Sequence, residues 1–142
     1  MADVFISYKS ESALTLVSDV ICPAIEAAGF ACWYAKRDMK PGAYPGQIKR
    51  AIGNCRVFLL ILENPALNEA HIKSETALAY RRLVRHEPMT LLPFRVDECD
   101  VQEDDDLDYY LISQQVLDGS PPDSGRVQEL VDRISEILSA PR

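Results

Sequence analysis

Six consecutive apolar residues, Val57-Phe58-Leu59-Leu60-Ile61-Leu62, constrain this chain more than any other feature. A strand with one wet face alternates apolar and polar side chains, and this run does not alternate. It predicts a strand covered on both faces, as at the centre of a parallel sheet. Parallel strands cannot be joined by tight turns and need crossovers, usually helical. The flanking sequence supplies them. Val4–Ile6, Phe30–Tyr34 and Thr90–Phe94 read as further strands, with a weaker fifth at Gln115–Leu117. Between them, Leu14, Val17, Ile21, Ile25 and Ala28 recur at helical spacing up to Gly29, with Pro23 predicting a kink or local break. A short helix is expected around Ile48–Ile52. A longer one is expected from Ala70 to Arg85, with Asn68 as its N-cap, and a closing one over Val127–Leu138. Residues 35–46 read as a Pro- and Gly-rich loop, and the acidic stretch 95–110 as a solvated loop or marginal helix. The alternation implies an α/β fold with right-handed crossovers, helices on both faces, and ligands bound outside the carboxyl ends of the strands.

The 142 residues suit one domain with a single real core, and no internal repeat or dividing linker is visible. The formal net charge of −7 argues against nucleic acid and against an anionic membrane surface as partners. Basic residues do cluster locally, at Lys36, Arg37, Lys40, Lys49 and Arg50 and again at Lys73, Arg81, Arg82 and Arg85; solvated helix faces are their simplest reading. Neither a secretory leader nor an apolar run of membrane-spanning length is visible, so a cytoplasmic location is expected. Cys22, Cys32 and Cys55 lie in apolar stretches, as buried thiols of a reducing compartment do. No cysteine is spaced with another cysteine or with His71 or His86 as zinc ligands are, so no metal site is expected.

Phosphate-binding glycine loops are missing after the first strand, which disfavours dehydrogenase and P-loop readings. A phospho-acceptor domain would place acidic residues after the first strand, where Ser7 and Tyr8 stand. Glu75 is the most unusual charged residue. It lies three positions after Ile72 and four before Ala79, flanking the inner stripe of its helix near the N-terminus. The ordinary explanation is a carboxylate complementing the helix dipole and pairing with Lys73 or a nearby Arg. Trp33 and Tyr44 are aromatic residues at and beyond the second strand's end, where packing and ligand stacking are both open. His71 stands one helical turn before Glu75, so the two share a face.

As an ordered set, these segments resemble the TIR (Toll/interleukin-1 receptor) domain family. The matching stretches are DVFISYKSES at Asp3–Ser12, GFACWYAKRDMKPGAYPGQIKRAI at Gly29–Ile52, CRVFLLILENPALNEAHIKSETALA at Cys55–Ala79 and LLPFRVDE at Leu91–Glu98. The resemblance implies a flavodoxin-like three-layer fold around a five-stranded parallel sheet, with the second stretch holding the family's BB loop. It covers nearly the whole chain and implies one TIR domain over residues 1–142, with the chain as an N-terminal module of a longer protein carrying a sensor. Some TIR domains cleave NAD+ at the nicotinamide–ribose bond, and some of these cyclise the product; others are adaptors that only bind other TIR domains.

In the enzymatic group a glutamate occupies the position of Glu75, which the resemblance makes the catalytic residue. It implies Ser7, Tyr8 and Lys9 as ribose or phosphate contacts and Tyr44 as a stacking platform. Arg37 and Asp38 fall at the polar start of the BB loop, and Trp33 and His71 join the expected substrate-binding set. Many members carry Trp at the position of His71. NAD+ is then the substrate, no cofactor is needed, and the protein self-associates through the BB loop. The start of the first strand and of the Glu75 helix look most like bacterial members, implying antiphage defence. The competing reading is a non-enzymatic TIR–TIR adaptor.

Overall fold

The computed structural model describes residues 2–139. Strand β3 (Val57–Leu62) is buried at all six positions. It is flanked by β1 (Val4–Ser7) and β4 (Thr90–Arg95), with the two-residue strands β2 (Cys32–Trp33) and β5 (Leu117–Asp118) at the margins. All pairings are parallel, in the order β2-β1-β3-β4-β5. Successive side chains leave a strand on opposite faces. Val57, Leu59 and Ile61 therefore join one core with Val4 and Ile6, while Phe58, Leu60 and Leu62 join the other with Phe5.

The first core is covered by α1 (Ser10–Leu16), α2 (Cys22–Ala27) and α7 (Ser124–Ser139). Between α1 and α2 the chain winds as a π turn over Val17–Ile21. This is the local break expected at Pro23, whose ring crowds the carbonyl of Asp19 and which lacks an N–H to donate. The second core is covered by α4 (Tyr44–Asn54), α5 (Ala70–Val84) and α6 (Asp105–Leu111), after the single turn α3 (Ala35–Asp38). Phe5 lies between Trp33 and Phe58, its ring stacked at 5.2 and 5.4 Å from theirs.

Several boundaries differ from expectation. The second strand pairs only at Cys32 and Trp33, because β1 offers it partners only at Val4 and Phe5. Residues 44–46 are not loop: Pro45 occupies the opening turn of α4, where a fixed φ suits a helix start, so Tyr44 is helical. The N-cap of α5 is Glu69, not Asn68, and its side chain does not cap the helix. Part of the acidic stretch forms α6, because the Asp104 carboxylate accepts the Asp106 and Leu107 N–H groups at its start. All four cysteines are buried free thiols.

Gly119 follows the last strand and approaches the buried Phe94 ring so closely that a Cβ there would lie 2.2 Å from it. Phe94 has no space to retreat, being fully buried in the first core. Gly119→Ala is expected to lower the unfolding free energy by roughly 1–3 kcal/mol, the usual cost of overpacking, measured by urea denaturation.

Candidate active site

In this strand order the chain leaves β1 toward β2 and returns on the other side of β1 to form β3. Beside such a reversal the outgoing loops part and leave a crevice. Here it is a cleft of about 500 Å³. Its walls are Phe5, Ile6 and Tyr8 of the β1 segment, Ala35, Lys36 and Met39 after β2, Tyr44 and Ile48 of α4, and His71 and Glu75 of α5.

Glu75 is 8% exposed. Its partner is not Lys73, which pairs with Asp104 at 2.7 Å and Asp106 at 3.4 Å. Instead Ser7 Oγ donates to Glu75 Oε1 at 2.9 Å, joining the last residue of β1 to the second turn of α5. Among the described residues Oε2 makes no hydrogen bond, so it remains available to a ligand hydroxyl. Burial pushes the carboxyl above the ordinary glutamate range; the Ser7 hydroxyl and the nearby His71 hold it back.

The other expected site residues divide. Tyr8, Tyr44 and His71 line the cleft with Glu75. The Tyr8 phenol accepts the Lys36 N–H at 3.3 Å and meets Tyr34 edge to face, and burial raises its pKa. Tyr44 is 52% exposed. His71 Nε2 lies 3.4 Å from the Tyr8 carbonyl oxygen and Nδ1 lies 3.3 Å from Glu69. Lys9 lies outside the lining, its Nζ held by Glu69 at 2.9 Å and Glu11 at 3.2 Å. The strap Lys9–Glu69–His71 thus ties the chain after β1 to the start of α5. Hydrogen bonds to these carboxylates raise the Lys9 pKa, and the one from Lys9 lowers that of Glu69.

Arg37 and Asp38 also lie outside it. Arg37 binds Asp38, Glu26 and the Cys32 carbonyl, and Asp38 accepts the Tyr34 N–H at 3.0 Å, so the pair fixes the turn after β2. Trp33 lines a separate depression of about 310 Å³ with Asp38, Lys40 and Arg50. Sequence reasoning did not single out Met39 and Ile48 for the cleft. Their signal was two large aliphatic residues nine apart in a segment otherwise rich in Pro and Gly. Among the described residues no group of His, Cys, Asp and Glu is placed to hold a metal ion.

An apolar cleft with a carboxylate anchored at its base suits an electrophilic or cationic centre: charge developing there meets a preorganised negative group in a low-dielectric setting. The raised pKa also has a stability consequence. Neutral Glu75 favours the fold below the ordinary glutamate pKa, and that contribution is lost as pH rises through the raised native value. Glu75→Gln keeps an acceptor for Ser7 without the charge. It is expected to melt above the wild type at neutral pH by a few degrees, with the gap closing below about pH 4.3, the unperturbed value, in a pH series of thermal melts.

Residues 4–131 match the family model described as the TIR domain. No curated protein matches the sequence. Among solved structures, a metazoan TIR-STING receptor from C. gigas in complex with 2',3'-cGAMP superposes with a TM-score of 0.74 at 24% identity, over 99% of this chain and 40% of the receptor. This chain therefore spans well under half of that receptor. The TIR domain of the Toll-related receptor TRR-2 from Hydra magnipapillata gives 0.72 at 20% identity, covering 98% of this chain and all of that one. The TIR domains of the activated Roq1 resistosome, which directly recognises the pathogen effector XopQ, give 0.63 at 14% identity over 96% of this chain and 85% of theirs. These likenesses establish the shared fold, a five-stranded parallel sheet with flanking helices. With the family model spanning the chain from β1 into α7, this protein belongs to the TIR domain family.

Proposed function

We propose that this TIR domain is an NAD+ nucleosidase. The supporting observation is the Glu75–Ser7 pair: a buried carboxylate, fixed by one donor and with its second oxygen unbonded by the described residues, in a cleft wide enough for a nucleotide. Nicotinamide in NAD+ is a cationic leaving group and needs no general acid. When the bond from ribose C1' to the pyridinium nitrogen breaks, the electron pair leaves with nicotinamide, and an oxocarbenium ion develops on the ribose. Glu75 holds the ribose hydroxyls through Oε2 and stabilises that positive charge. Capture by water gives ADP-ribose and a proton; capture by an adenine nitrogen of the same molecule gives a cyclic product. Tyr44, half-exposed on the α4 wall of the cleft, supplies a stacking surface.

The reading includes activation by self-association through the BB loop, the segment that follows β2, in a cytoplasmic protein of prokaryotic antiphage defence that carries a fused sensor. The Roq1 TIR domains, which lie within an activated resistosome, support assembly as the context. Among the described residues no helix is long and apolar enough to cross a membrane.

The test is nicotinamide release from NAD+ by clustered protein. Glu75→Gln is expected to lower the rate by at least about 100-fold, the scale of losing a principal electrostatic stabiliser. Silence from the clustered wild type overturns the enzymatic reading in favour of an adaptor, and equal cleavage by both proteins removes Glu75 from the chemistry. Tyr44→Ala is expected to raise KM roughly tenfold, the size of one lost stacking contact, with an unchanged melting temperature because the side chain is exposed.

A further inference from the structure

Lys36 carries no role in the reading so far, yet it is the cation that the cleft keeps. A dinucleotide brings two charges of opposite kind into this site: a pyridinium and a diphosphate. Glu75 answers the first. On a protein with net charge −7, the second needs a local cation. Six basic residues lie in or near the loops concerned, and the structure disposes of five. Lys9 is held by Glu69 and Glu11, and Arg37 by Asp38 and Glu26. Lys40 and Arg50 line the depression beside Trp33, and Lys49 lines another between α4 and α5.

Lys36 alone of the six lines the Glu75 cleft; it is exposed and makes no ion pair among the described residues. Its backbone is also anchored at the cleft, because its N–H donates to the phenol of Tyr8, itself a buried wall of the same cleft. Lys36 and Glu75 thus stand on different walls, one after β2 and one on α5, with Tyr8 shared between them.

We infer that Lys36 is the diphosphate-recognition residue of this cleft, and that it gives the site its preference for a dinucleotide over the phosphate-free nicotinamide nucleoside. This rests on the NAD+ reading above. Lysine acts here as a point charge on the phosphate oxygens, remote from the bond that breaks. Its loss therefore weakens ground state and transition state alike and appears in KM with kcat retained.

The experiment compares wild type, Lys36→Ala, Lys36→Gln and Lys36→Arg as clustered full chains. The readouts are KM and kcat for NAD+ and the inhibition constant of nicotinamide riboside, which lacks both phosphates, as a competitor. Lys36→Ala and Lys36→Gln are expected to raise KM for NAD+ about fivefold, the size of one exposed charge contact, with kcat held within about twofold. The riboside constant is expected to stay unchanged, and Lys36→Arg to restore KM. A KM for NAD+ unaltered in both neutral variants overturns the assignment, as does an equal weakening of the riboside. Nicotinamide release by the wild type decides the reading beneath it. If the wild type cleaves and the substitutions are silent, only the role of Lys36 falls; if the wild type is silent, both fall.

Discussion

A strand paired in parallel on both sides cannot be joined to its neighbours by tight turns, and the geometry of this protein follows from that restriction on β3. Each neighbouring strand must enter from the same end, so each connection has to climb back over a face of the sheet. The chain therefore leaves all five strands at one edge, and the segments after β1 and β2 and before α5 collect there. Ser7 and Glu75 are 68 positions apart in sequence and 2.9 Å apart in space for this reason. The strict alternation of side chains adds the second condition. Phe5 and Ser7 leave the same face of β1, so the residue at the centre of the aromatic stack is followed, two positions on, by the donor that holds the carboxylate.

Stability and chemistry oppose each other at that point. Burial disfavours the ionised form of Glu75, and among the described residues one hydrogen bond, from Ser7, and the nearby His71 oppose it. Asp104 shows how the same fold treats a carboxylate kept for structure: it accepts two backbone N–H groups at the start of α6 and pairs with Lys73, and the lysine and both backbone donors hold its pKa below the usual range. The contrast is between a carboxylate whose partners are supplied and one left with an unused oxygen facing a cleft.

The parts of this molecule written in local pattern were legible in its sequence. The apolar run of β3, the helical spacing of α5 and α7 and the glycine stop at Gly29 each depend on near neighbours. Glu75 stood out because its helix phase placed a charge beside the inner stripe. What was not legible depends on distant partners. Arg37 and Lys9 read as free cations until Glu26 and Glu69 are brought against them, while Lys36, identical to its neighbours in composition, is distinguished only by where the turn after β2 leaves it. Pro45 was ambiguous for another reason: proline breaks a helix in its interior and starts one in its first turn, and only the φ/ψ of the preceding residues decides between them.

The outermost strands limit what the margins of the sheet offer to another chain. β2 and β5 each run for two residues, so either margin of the sheet offers a neighbour little backbone to hydrogen-bond. Sheet-to-sheet growth, which locks chains together through long ladders of peptide groups, finds no template at such margins.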